Sequence, residues 1–393
     1  MRLRPQFIAS VLTPKRGEGD PIAALFANGS PGLDYDFSKT DRLFQDSSGV
    51  TAVTLLDDPI GLALDSDQWA GRTLAQQIAS MPGMLANPTF VGGLAGWFEG
   101  NPSVAWQADG RVLLTRVGQN AVLRQVVPVV AGRTYRLAAS ALRTVGTGNM
   151  VALVRDTANV ALSTVLNFNT SAAEQATYWT ATFTGDVRIC LERTTTDGQG
   201  EAYSASFKEV VTSPAVQATA NFKPRFQPDG AKFDAVDDRL VSNYTPPNTT
   251  TAPSCMIARV TVPTTLAASQ MIAGSFNGTS QRFFLSVGSD GRMRAGGGTE
   301  NLPFGSDIRG QSVVMGMSFD ATTFRVFLND SELYSGSPSG SVSPLHPLYV
   351  GCFNSNGSAG GFWGGHIKRL LVAQKSLELP QFLAIRNRLL SGA

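Results

Sequence analysis

The sequence predicts a mostly β protein with two antiparallel β-sandwich (jelly-roll) domains, an extended N-terminal arm and a short C-terminal helix. Three observations carry this. Short runs of alternating apolar and polar residues recur with turn signals about every 8–12 residues, the spacing of a sandwich. The 40 glycines and 21 prolines favour turns and short strands over helices. The chain has 393 residues, more than the ~250–300 that one core usually holds, so two or three domains are expected.

Residues 1–30 read as an N-terminal attachment arm, punctuated by Gly17, Gly19, Pro21 and Gly29, with one apolar patch from Ile22 to Phe26 able to dock. Residues 31–86 form a leader of short turns and strands. Within it, QWAGRTLAQQIAS (68–80) suits one or two helical turns that Pro82 ends. Residues 87–210 hold the first strand-rich module, in which AVLRQVVPV alternates, turns at AGRT and continues as TYRLAASAL. A linker follows at 211–228, with Pro214, Pro224 and Pro228. Residues 229–393 hold the second module. Two hairpins stand out there, RFFLSVGSDGRMRAG turning at Asp290-Gly291 and TFRVFLNDSELYSG turning at Asn329-Asp330. Residues 378–390 form a helix with Phe382, Ile385 and Leu389 on one stripe, ahead of Gly392.

Charge and cysteine usage exclude several classes. Charged residues make up 16% of the chain and the formal net charge is +2, which gives no bulk attraction for nucleic acid. Cys190, Cys255 and Cys352 are far apart and odd in number, so free buried thiols and synthesis in a reducing compartment are expected. No run of ~18 apolar residues predicts membrane insertion, and the N-terminus does not read as a signal peptide. No cofactor motif is found: GGLAGW and GGGTE lack the lysine of a phosphate loop.

Two family resemblances cover most of the chain. FANGSPGLDYDFSKTDRLFQDSSGVTAVTLLDDPIGLALD (26–65) resembles a leader found in structural proteins of tailed phages, prophages and gene transfer agents, where it precedes a concanavalin- or laminin-G-like domain. AVQATANFKPRF (215–226) resembles the continuation of that leader, so the first sandwich is expected as an insertion. AKFDAVDDRLV (231–241) through GGHIKRLLVAQKSL resembles the laminin-G-like domain itself. NPTFVGGLAGW (87–97), with Asn87, Phe90, Gly93 and Trp97, resembles the opening of carbohydrate-binding-module jelly rolls attached to glycosidases. The resemblance implies a virion structural protein (a spike, fibre or tail-associated part) on a phage-like particle, made in the bacterial cytoplasm and released by lysis. It also implies binding of host capsular or surface polysaccharide, contacts with other virion subunits through the arm, and a homo-oligomer. A purely structural decoration or connector protein and a glycan-cleaving enzyme are the alternatives.

Candidate ligand-binding residues follow from side-chain chemistry. Flat aromatic faces match pyranose rings, which singles out Trp106, set between Asn101 and Asp109, ahead of Trp97, which the family pattern places in the core. Tyr178 and Trp179 are adjacent on one strand, so one faces in and the other out. The loop NSNGSAGGFWGG offers Asn354, Asn356, Phe362 and Trp363, with core capping as the competing reading. Asp234, Asp237 and Asp238 suit calcium as hard oxygen ligands, against the plainer reading of a solvated turn. His346 and His366 sit in no catalytic motif, and Glu99, Glu192 and Glu201 are acids without a partner visible in sequence. The expectation is a protein that is not an enzyme.

Overall fold

The computed structural model describes residues 19–391 apart from 30, 66–74, 76–77, 80, 82, 100–102, 132, 170, 212–213, 248–251, 278–280, 298–301 and 339–345. Most of the expected arm, and most of the expected helical turns at 68–80, lie outside the described residues.

The first sandwich follows from period-two alternation. In Ala121–Val129 every second residue is buried, and the strand pairs antiparallel with Gly185–Arg193 along its whole length. That pair centres a five-stranded sheet in the order Leu166–Asn167, Met150–Arg155, Gly185–Arg193, Ala121–Val129, Phe98–Glu99. The facing sheet runs Gln175–Thr180, Thr134–Val145, Gly198–Val211, Val112–Arg116, Val104–Trp106. Phe90, Trp97, Tyr135, Phe168, Trp179 and Phe207 fill the space between, and Tyr135 stacks on Phe207 with centroids 5.2 Å apart.

The second sandwich has an eight-stranded and an eleven-stranded sheet. Both expected hairpins form. Gln281–Val287 pairs with Met293–Gly297, and Phe324–Leu328 pairs with Ser331–Gly336 across Asn329, which adopts φ 53°. Tyr35, Phe37, Phe233, Phe283, Phe319 and Trp363 lie fully buried in the core.

The leader is woven into these same sheets. Gly32–Asp36 pairs antiparallel with His366–Ala373, beside the place where Gly230–Lys232 joins the same strand. Its alternation sends Tyr35 into the core, while Asp34 and Asp36 meet Arg369 on the outer face. Asp34 is fully buried, and the Arg369 guanidinium grips it in fork geometry at 2.8 and 2.7 Å. Leu62–Ala63 pairs directly with Ala215–Val216, so the chain leaves toward the first sandwich and returns from it on adjacent strands.

The C-terminal helix spans Leu379–Ser391, with Phe382, Ile385 and Leu389 buried as the stripe predicts. Phe382 stacks on Phe327 at 4.7 Å and lies over Gly316, where a Cβ would come 2.8 Å from its ring. Ile22, Leu25 and Phe26 join this cluster. That end of the expected arm is therefore docked on the chain's own sheet, because an apolar patch of this size gains more from burial than from extension into water.

The two sandwiches meet at the leader. Phe44, Leu62, Leu64, Met81 and Tyr178 form one apolar cluster. Tyr178 donates its backbone N–H to the Ser48 carbonyl at 2.6 Å, and its ring rests on Gly49, where a Cβ would come within 2.3 Å of it. Gly49 also holds φ +66°, so glycine is required there twice over.

Removing one partner of the buried Asp34–Arg369 pair leaves a charge uncompensated, so Asp34→Ala is expected to cost about 3–5 kcal/mol in urea unfolding. A loss below about 1 kcal/mol would show that the pair does not hold the leader.

Candidate functional site

A groove of about 390 Å³ lies on the outer face of the Gly198–Val211 strand in the first sandwich. Alternation builds its floor. Ala205 and Phe207 point into the core, so Ser204, Ser206 and Lys208 point out, and Ser206 sits opposite Ala138. Past the end of Val112–Arg116, the segment 84–88 takes over beside this strand: Met84 N–H donates to the Phe207 carbonyl and Ala205 N–H to the Pro88 carbonyl. Pro88 and Thr89 thereby become one wall, and Glu174 lines the groove as well. Glu174 is held by Arg136 at 2.7 Å, and Lys208 donates to the Ile78 carbonyl at 2.8 Å. Small side chains leave room on the floor for a flat ring, and the rim carries hydroxyls, one carboxylate and one ammonium.

Trp106 does not line this groove: it ends the Val104–Trp106 strand opposite Val112, on the core-facing side of the sheet, whereas the groove lies on the outer face. Its indole N–H donates to the Phe90 carbonyl at 2.8 Å, and the residue stays 38% exposed. Of the aromatics singled out from sequence, the other tryptophans and Tyr178 are spent on packing. Trp97 donates to the Asn87 carbonyl and lies tilted against Phe90 at 5.4 Å. Trp179 does face in, against Tyr135. Tyr178 faces out of its sheet but is covered by the leader, and burial pushes its hydroxyl up to about 12. Neither ring offers a free face to a ligand.

The glycine-rich loop of the second sandwich is likewise structural at its centre. Trp363 is fully buried in the core. Asn354 donates to the Pro347 carbonyl and accepts from Gly357 N–H, which is how a buried amide is satisfied. Asn356 is exposed at φ 54°, a turn conformation, and Phe362 is half-buried. The three cysteines are free and buried, and burial pushes each thiol up to about 12. Among the acids, Glu192 is buried in a fork with Arg155 at 2.6 and 2.9 Å, and Glu201 is shared by Arg111 and the Tyr203 hydroxyl. Glu99 sits exposed on a short strand.

Asp234, Asp237 and Asp238 do converge, with carboxylate oxygens within 4.8 Å of one another, and are the described residues able to hold a metal. Asp234 Oδ1 accepts the N–H groups of Val236, Asp237 and Asp238, and Asp238 Oδ2 accepts that of Asp234. Burial, and then the Asp234 charge, push the Asp238 carboxyl up to about 7.

The groove itself escaped sequence reading. The Ser204/Ser206/Lys208 alternation marks an outward face, but nothing local shows that residues 84–89 wall it.

No family model matches the chain, and no curated protein matches it. Solved structures similar to parts of it include a Trypanosoma rangeli sialidase mutant displaying trans-sialidase activity, at 13% identity over 46% of this chain and 31% of that one (TM-score 0.36). The CBM40 of a Ruminococcus gnavus IT-sialidase bound to α2,3-sialyllactose matches at 17% identity over 35% of this chain and 84% of that one (TM-score 0.30). A bacteriophage CBA120 tailspike enzymatically active domain matches at 14% identity over 33% of this chain and 21% of that one (TM-score 0.26). The chain thus spans under a third of the sialidase and of the tailspike domain. The expectation that the protein is not an enzyme is corrected: a carboxylate cluster forms at Asp234, Asp237 and Asp238, where the sequence showed no completed acidic site.

Two outcomes follow from these positions. Asp238 holds its proton more tightly folded than unfolded, so its contribution to stability is complete at low pH and is lost as pH rises through about 7. Chemical denaturation from about pH 5 to about pH 8 is expected to show that fall, and Asp238→Asn to remove most of it; an unchanged fall in the variant would refute the assignment. Trp363→Ala is expected to cost about 3–5 kcal/mol as a core cavity, against about 1 kcal/mol for Trp106→Ala. Equal costs would mean that Trp106 is also a packing residue.

Proposed function

We propose that the chain recognises carbohydrate through the first sandwich, in the groove on the outer face of the Gly198–Val211 strand. The observation that carries this is a recess with a floor of Ala138, Ser204 and Ser206, walled by Pro88 and Thr89 and bordered by Glu174 and Lys208. That combination suits a pyranose ring, with room to lie flat and hydroxyl and charged partners for its own hydroxyls. The leader's resemblance supports placing this recognition on a phage-type particle, directed at host capsular or surface polysaccharide and aiding adsorption. Repeated copies would turn a weak site into useful avidity. In this reading residues 87–210 are a module inserted in the leader of the second sandwich, which the direct pairing of Leu62–Ala63 with Ala215–Val216 supports.

A second reading is cleavage of that glycan at the Asp234–Asp237–Asp238 cluster. The observation favouring it is the Asp238 carboxyl raised to about 7 beside neighbouring carboxylates, since glycoside hydrolysis pairs a protonated acid with an ionised one.

Capsule pull-down and a glycan array with the full chain test both. Recognition predicts binding that Ser204→Trp and Ser206→Trp abolish while the fold survives. Binding that both variants retain would place the site elsewhere. Release of reducing ends that Asp238→Asn stops would establish cleavage.

A further inference from the structure

A second recess, far smaller, lies where the leader, the last strand and the C-terminal helix meet. It holds about 20 Å³ and is lined by Asp36, Ser38, Arg259, Lys368, Arg369, Arg388 and Leu389. Four cations in so small a space require an explanation. The register between Ser254–Thr261 and His366–Ala373 slips between Arg259 and Val260, opposite Lys368. A bulge of this kind lets two consecutive side chains address one side, and both Lys368 and Arg369 line the recess. Arg259 lies directly opposite Arg369 across the sheet, a like-charge pairing that is destabilising unless something offsets it. Arg388 enters from the last turn of the helix.

The acids nearby do not balance this set. Asp34 and Asp36 are taken up by Arg369, and Asp36 also accepts from the backbone and hydroxyl of Ser38. Asp20 reaches Arg388 only at 3.4 Å. Arg259 donates to a neutral carbonyl, that of Leu389, at 2.6 Å. The Lys368 ammonium has no hydrogen bond or ion pair among the described residues. Among the described residues, four cations thus face three carboxylates.

We propose that this recess binds a single carboxylate group, held by Lys368, Arg259 and Arg388. Charge selects that class. A cavity needs ~10–15 Å³ to hold one water, so the recess of about 20 Å³ takes one oxygen of the group while the rest stays at its mouth. Asp36 on the lining disfavours a dianion, whereas a monoanion completes the balance. The carboxylate is either free or carried by an acidic sugar.

Titration of the full chain with sodium acetate and with sodium glucuronate, each against sodium chloride at equal ionic strength, tests this by calorimetry and thermal shift. Both carboxylates are expected to bind and raise the melting temperature beyond chloride. Equal binding identifies a pocket for free carboxylate, and preference for glucuronate identifies an acidic-sugar source. Lys368→Ala is expected to weaken binding about tenfold, the loss of one hydrogen bond to a charged group. Lys368→Gln serves if the first variant misfolds, with folding checked by circular dichroism. Chloride matching both carboxylates, or either folded variant binding as tightly as the parent, would overturn the proposal.

Discussion

The rest of the structure depends on one pairing, that of Gly32–Asp36 with His366–Ala373, locked by the buried Asp34–Arg369 fork. It brings residues more than three hundred positions apart into one sheet, so the second sandwich cannot close until the last strand exists. Such non-local contacts are costly in loop entropy and slow to form. Once made, they bury Tyr35 and Phe37 in the core and set the Asp36 row beneath the helix. The ion pair by itself is weak grounds for stability, because desolvating two charges offsets much of their attraction. Its value here is specificity of register: shifting the leader strand by one residue would put Tyr35 outside and bury both aspartates in the apolar core.

The same leader decides what the first sandwich has left to offer. Ser48 and Gly49 take the outward face of Tyr178, and Met81 and Leu64 close over it. The outward face of the Gly198–Val211 strand is open at Ser204 and Ser206, where residues 84–88 run alongside the strand and Pro88 and Thr89 wall the groove. Hence the open surface at Ser204 and Ser206 is small in side-chain volume and polar, which suits a hydroxylated ligand better than an apolar one.

Local chemistry made much of this legible in the sequence. The Asn329-Asp330 and Asp290-Gly291 turns, the alternation of AVLRQVVPV and the Phe382/Ile385/Leu389 stripe each announce an element through its own residues, and each forms. What stayed hidden depends on partners distant in the chain. Alternation shows that Tyr178 and Trp179 face opposite ways, but only the fold reveals that Ser48 covers Tyr178. Trp363 sits amid glycines like a loop aromatic, yet the turns around it drive the ring into the core. The clustering of three aspartates was visible in FDAVDD, whereas the burial that raises Asp238 was not.

Hydrogen–deuterium exchange on the full chain, with and without host capsular polysaccharide, tests the placement of the carbohydrate site most directly. Slowed exchange is predicted at residues 84–90 and 204–208, which wall and floor the groove. Slowed exchange confined to 354–365, with the groove unaffected, would contradict it.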